Sequence, residues 1–193
     1  MVIEVAIEGV TDFVFDGAKG SIYTEKDMVN PLGVYGATKF RGEQVTTNEI
    51  EEHFIIRTSW LYSEYGNNFL KTMLRLGNER DILTVVADQI GTPTYAGDLS
   101  ELIVRLIKHD SEAYGLYHFS DEGVASWYDF AKAIMDESKT KCKVLPIKTE
   151  EYPTPAKRPA FSVMDKSKIK NTLKMEIPHW RDSLQKCLIK LVG

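Results

Sequence analysis

Three side chains in the first part of the chain could do chemistry together. Thr11 offers a hydroxyl, Tyr35 a phenol and Lys39 an ammonium. Tyr35 and Lys39 are four residues apart in a segment with a helical pattern, so they share one helix face, one turn apart. A free phenol has a pKa near ~10 and exchanges protons poorly at neutral pH. A nearby ammonium favours the phenolate and lowers that pKa. Such a phenol can hand a proton to a carbonyl oxygen while hydride reaches the carbon. The lysine can also donate hydrogen bonds to a ribose hydroxyl, and Thr11 can polarise the same carbonyl oxygen. The spacing recurs at Tyr128 and Lys132. Tyr128 falls in the apolar run Trp127-Tyr128-Asp129-Phe130-Ala131, where partial burial with a solvated hydroxyl is expected. Tyr35 instead follows a loop with Pro31 and Gly33 and is flanked by Gly36, which keeps the backbone accessible.

The elements that must hold these residues are read from hydrophobic period. Residues 2–8 alternate and run on into Phe13-Val14-Phe15, and both pieces read as strand. Asp16-Gly17, Gly20 and Asn30-Pro31 mark a loop. The pattern predicts a helix over 34–50, a buried strand over 53–58 and a helix from an Asn67/Asn68 cap through Arg80. A strand over 82–86, an amphipathic helix over 98–109 and a strand over 116–119 follow. Ser126 caps a helix predicted to run to 138, and 144–147 is a strand. After a proline-rich stretch, short helices are expected over 165–173 and 179–191. Strands alternating with helices predict an α/β fold with a mostly parallel sheet.

Composition narrows the function. The 193 residues, 43% apolar, suit one large or two small packed domains. A net charge of −4 leaves no basic footprint for nucleic acid. No apolar run approaches the ~20 residues of a membrane span, so no membrane role is expected. The start has acidic residues inside its apolar run and no basic region, so it does not read as a signal peptide. Cys142 and Cys187 are isolated, which suits a reducing compartment, and the cytoplasm is the expected location. His53, His109, His118 and His179 show no ligand spacing, and no metal site is expected. The alternating lysines at 139–143 and 166–170 read as solvated surface.

Several ordered segments carry a resemblance. They are Thr11 to Gly17, Pro31 to Lys39, Arg57 to Tyr62, Gly66 to Phe69, Asp88 to Thr94 and Lys157 to Pro159. Together, from about Val10 onward, they resemble the dTDP-4-dehydrorhamnose reductases. These are extended short-chain dehydrogenase/reductases that complete dTDP-L-rhamnose synthesis. The resemblance implies that Thr11, Tyr35 and Lys39 are the catalytic set, and the 24-position gap from Thr11 to Tyr35 (35 minus 11) agrees with it. Tyr35 would protonate O4 of dTDP-4-dehydro-L-rhamnose while NADPH or NADH delivers hydride to C4. Lys39 would hold the nicotinamide ribose, so Tyr35 and Lys39 also face the cofactor. Thr11 and Asp12 would place the dTDP-sugar, with Trp60 as a rigid apolar wall beside the ring. Asn67, Asn68, Gln89 and Arg158 complete the implied substrate set, Arg158 through a planar fork on the diphosphate. Their own context leaves other readings open: a surface ion pair for Arg158, a helix cap for Asn67, and a shaped turn over Gln89 to Pro93, including Thr92.

The chain departs from the family at its start. Reductases of this kind begin with a strand, a glycine-rich turn and a helix whose N-terminus binds the pyrophosphate. None of the 13 glycines here forms GxGxxG or GxxGxxG. The expected organisation is a Rossmann-like remnant over 1–58 and a mainly substrate-binding region over 59–193, with 96–110 packing back on the first part. The chain is expected to be a truncated reductase, inactive alone. Its first strand would expose a sheet edge, a pairing hazard that Glu4 and Glu8 could guard. A homodimer or a partner chain covering that edge is therefore expected. The alternative, from another class, is a non-catalytic binding or regulatory protein of the same fold, like the regulatory subunit of methionine adenosyltransferase.

Overall fold

The computed structural model describes residues 6–108, 112–154 and 156–192. The chain opens with β1 (Ala6–Thr11), α1 (Val34–Glu49), β2 (His53–Thr58) and β3 (Leu61–Tyr62). It continues with α2 (Phe69–Glu79), β4 (Ile82–Val86), β5 (Ile90–Gly91), β6 (Thr94–Tyr95) and α3 (Ala96–Lys108). It ends with β7 (Gly115–His118), β8 (Ala125–Ser126), α4 (Trp127–Glu137), β9 (Lys143–Ile147), α5 (Ser167–Leu173) and α6 (Trp180–Val192). The α/β class read from the alternation is the one observed.

The main sheet has the order β1-β2-β7, all parallel. Its register sets Val10 opposite Arg57, Thr11 opposite Thr58, and Arg57 opposite His118. These residues end their strands on one side, the carboxyl side where open parallel sheets bind ligands. Three two-stranded ribbons complete the sheets: β3-β6 and β4-β9 are parallel, and β5-β8 is antiparallel.

Three apolar clusters hold these layers. Leu102 and Leu106 of α3 pack with Phe54, Ile56 and Tyr117 of the main sheet, and Ile169 and Leu173 of α5 join them. Val10, Val14, Phe15, Tyr23, Ile55 and Met164 fill the space below the end of β1. The largest cluster lies under α2, α4 and α6 and includes Leu70, Phe130, Ile134 and Leu184. Thus β7, α3 and α5, all beyond residue 58, return to the first sheet.

Two expectations are corrected. Phe13-Val14-Phe15 is not a strand: residues 12–14 form a 3-10 turn, with the Thr11 hydroxyl accepting from the Phe13 amide. The run is apolar because Val14 and Phe15 are buried beneath the turn, and an apolar run alone does not separate a buried turn from a strand. Glu8 does not guard the edge of β1. Its Oε2 accepts from the Thr46 hydroxyl at 2.7 Å, so the side chain is tied to α1. Glu4 and His109 lie outside the described residues.

Candidate active site

The end of β1 delivers the first group of side chains. Thr11 is 8% exposed, and its hydroxyl donates to Asp12 Oδ1 at 3.2 Å while accepting from the Phe13 amide. The same atom therefore caps the 3-10 turn and orients the neighbouring carboxyl. Asp12 is buried, and desolvation pushes its pKa up to about 6. The Ser162 and Thr11 hydroxyls and the charge of Arg158 oppose that rise. Asp12 Oδ2 has no hydrogen-bond partner among the described residues.

Helix α1 is brought down onto this turn by Gly36. A Cβ at Gly36 would sit 2.2 Å from the Phe13 carbonyl oxygen and 2.9 Å from Pro31 Cβ. Only a residue without a side chain permits that approach. The role of Gly36 is therefore close packing, not an accessible backbone. The approach sets the Tyr35 ring edge-on to Phe13, with centroids 6.0 Å apart at 85°. Tyr35 is 58% exposed and Lys39, one turn on, is half-buried. Neither the phenol nor the ammonium is hydrogen-bonded among the described residues, so both are free for a ligand. The second tyrosine–lysine pair differs. Lys132 is ion-paired with Asp136, and Tyr128 packs half-buried against the large core cluster.

A second group surrounds a cavity of about 410 Å³, lined in part by Phe69, Met73, Val85, Gln89, Trp127 and Arg158. Trp60 stands beside it with φ +45°, left-handed backbone that a bulky residue adopts only when its surroundings impose it. Those surroundings are visible. Its carbonyl accepts from the Thr94 amide, its ring lies against Gly91, and it stacks on Trp127 at 3.6 Å and 7°. Trp127 opens α4, whose start is fixed by a capping box between Ser126 and Asp129. Arg158 is exposed, with its guanidinium 5.8 Å from the Trp127 ring centre. The charge of Arg158 is also felt weakly at Asp12.

The remaining expected site residues divide. Gln89 lines the cavity and donates to the Thr149 hydroxyl at 3.0 Å. Thr92 is buried, donating to the Gly123 carbonyl. Asn68 is the cap of α2: its Oδ1 accepts from the Lys71 amide and its Nδ2 donates to the Ser63 and Tyr65 carbonyls. Asn67 is exposed beside it, without a hydrogen bond among the described residues. Sequence reasoning missed Trp127, Phe69 and Tyr152 at the cavity. The one signal for Trp127 was its place directly after the Ser126 cap.

Residues 5–192 match the RmlD substrate binding domain. A dTDP-4-dehydrorhamnose reductase of Aggregatibacter actinomycetemcomitans is 47% identical over 186 residues, which is 91% of this chain and 63% of that protein. Across this and two further curated relatives, a dTDP-4-dehydrorhamnose reductase of Sinorhizobium fredii and the spore coat polysaccharide biosynthesis protein SpsK of Bacillus subtilis, the chain spans 62–64% of their length. A crystal structure of a dTDP-4-dehydrorhamnose reductase from Clostridium acetobutylicum has a TM-score of 0.93 and 41% identity, covering 97% of this chain and 66% of that one. One from Bacillus anthracis, in complex with NADP, has a TM-score of 0.90 and 43% identity, covering 95% and 64%. The architecture is thus that of Rossmann-like reductases.

Proposed function

The chain belongs to the RmlD substrate-binding-domain family, that of the dTDP-4-dehydrorhamnose reductases, and from that premise we propose that it carries the proton-donating and sugar-nucleotide-binding part of an NAD(P)H-dependent ketone reduction. The substrate of this reading is dTDP-4-dehydro-L-rhamnose and the product dTDP-L-rhamnose. One observation supports it most: Gly36 seats α1 on the Phe13 carbonyl, and the Tyr35 ring, one residue before it, lies edge-on to Phe13 in the turn that follows Thr11.

The residues fit a nicotinamide cofactor at that corner, because Tyr35 and Lys39 are unpaired there. When bound, NADPH or NADH would supply hydride to C4 of the sugar. Lys39 would hold the ribose through its amino donors. Tyr35 would hold its proton against O4 and release it there as the oxygen gains charge. Thr11 would donate to the same oxygen after releasing Asp12, its present acceptor. The pyrophosphate has no glycine-rich cradle in this sequence, and we take the chain alone to be inactive.

The nucleotide end of the substrate fits the cavity. Its apolar side, with Phe69 and Trp127, suits a base ring, and the Arg158 fork suits a diphosphate. In this reading Gln89, which lines the cavity, and Trp60, stacked on Trp127, would face the sugar, and Asn67 would stay a peripheral contact. This reading is tested on the chain itself by thermal-shift titration with dTDP. Saturating nucleotide should raise the Tm, and less so in Arg158→Ala. An unchanged Tm in the unaltered chain would remove the nucleotide site and favour the partner-binding alternative. The catalytic role is tested in an enzyme completed with a glycine-rich βαβ segment. Tyr35→Phe should lose most turnover with the fold intact, while Tyr128→Phe should be nearly silent; near-normal turnover in Tyr35→Phe rejects the proton donor.

A further inference from the structure

Helix α1 lacks an apolar stripe to seat it. Its buried residues are Gly36 and Glu43, and Lys39, Phe40, Gly42 and Thr46 are half-buried. A surface helix normally docks through a row of apolar side chains. Here the inner face offers one large apolar side chain, Phe40, packed against the cluster around Val10 and Phe15, and a Thr46 hydroxyl bonded to Glu8, so its rotation about its own axis calls for a further, directional constraint.

Glu43 supplies a fixed point. Arg57 Nε donates to Glu43 Oε1 at 2.8 Å and Nη2 donates to Oε2 at 2.7 Å, with the side chains 3% and 6% exposed. A two-pronged pair fixes orientation as well as distance. The arginine end is itself immobilised. It lies on the central strand of the main sheet, in register with Val10 and His118, and its guanidinium sits 5.2 Å from the Phe15 ring centre. Phe15 in turn stacks on Tyr23 at 4.1 Å. His118 does not compete for the charge, because burial and Arg57 push its pKa down to about 3 and leave it neutral. Among the described residues, Glu43 is the carboxylate that meets Arg57.

Tyr35, Lys39 and Glu43 succeed one another at intervals of four. Each such step overshoots a full helical turn by about 40°, so the three wind slowly around the helix. Their burial follows that winding: Tyr35 is 58% exposed, Lys39 half-buried and Glu43 4% exposed. Turning α1 far enough to bury the phenol would pull Glu43 off Arg57. We propose that the Glu43–Arg57 pair is a positioning device that sets the rotation of α1 and so aims Tyr35 and Lys39 at the Thr11 corner. This rests on the reductase reading of those two residues, and neither Glu43 nor Arg57 touches the reacting atoms. A pair needed only for stability is often replaceable by apolar residues of equal volume, whereas aiming depends on the fork.

The edge-on contact of Phe13 and Tyr35 reports the rotation directly, as ring-to-ring nuclear Overhauser effects in this chain. Glu43→Ala should lose more than half of that intensity, and Glu43→Gln, which keeps the shape without the charge, should lose a smaller part. Val45→Ala, on the exposed side of the same helix, should leave it unchanged. Far-UV circular dichroism confirms the fold of each variant. If only Glu43→Ala unfolds, Glu43→Gln decides, and intensity equal to the unaltered chain overturns the proposal. Full intensity in a folded Glu43→Ala overturns it too. Unfolding of both variants also overturns it, since the pair would then hold the domain as a whole. The measurement needs neither cofactor nor turnover, so its failure leaves the reductase reading standing, and silence of Tyr35→Phe leaves this measurement standing.

Discussion

The carboxyl beside Thr11 shows how a single residue ties stability to the site. Burial raises Asp12 from its usual 3.8 to about 6, so the folded chain holds that proton more tightly than the unfolded one. The contribution of Asp12 to stability therefore falls as pH rises from about 4 to about 6 and then levels off, at a cost of roughly 3 kcal/mol at neutral pH. Asp12→Asn should remove that contribution, seen as a Tm that gains on that of the unaltered chain as the pH goes from about 4 to about 6. Asp121, raised to about 8 by burial, and His118, lowered to about 3 and acting in the opposite sense, tilt both proteins alike, and the difference between them isolates Asp12. A cost of this kind, kept beside a hydroxyl and a free phenol, is a common mark of a functional corner. Trp60 adds a second such cost, on the order of 1–3 kcal/mol for its left-handed backbone.

At the scale of elements, the approach of α1 to the 3-10 turn is the decisive contact. Gly36→Ala should cost about 2 kcal/mol in urea unfolding, although alanine is the better helix former, because its Cβ would displace the Phe13 carbonyl. Most of the helices and the longer strands were legible because they carry a period or a cap; α1, which has neither an apolar stripe nor a capping side chain, was marked by the loop before it and by its spacing of Tyr35 and Lys39. The Asn68 and Ser126 caps fall within the expected starts of α2 and α4. The two-residue strands β3, β5, β6 and β8 were not legible, since so short a run has no period to read. Nor was the turn over 12–14, whose Val14 is buried by tertiary packing. Tyr35, Lys39 and Thr11 could be paired from spacing and resemblance. Trp127 could not, because an aromatic in an apolar turn looks like core until a second indole is stacked on it. The hold on α1 was equally hidden: Glu43 and Arg57 are 14 positions apart, and nothing local joins them.

For the whole molecule, the open side of β1 is the main liability. Among the described residues β1 pairs with β2 alone, and Glu8 is spent on α1. Size-exclusion chromatography with light scattering should show a dimer or larger species; a monomer at every concentration would show that the edge stays unpaired in solution. The path of the chain has a further consequence. It leaves the first sheet after β2, comes back with α3 and β7, departs through β8, α4 and β9, and comes back again with α5 before α6. No single cut between neighbouring residues would free one layer from the other, so neither should melt by itself. Calorimetry should accordingly trace one endotherm, and Gly36→Ala, although far from the large cluster under α4, should drag that same peak downward as a unit.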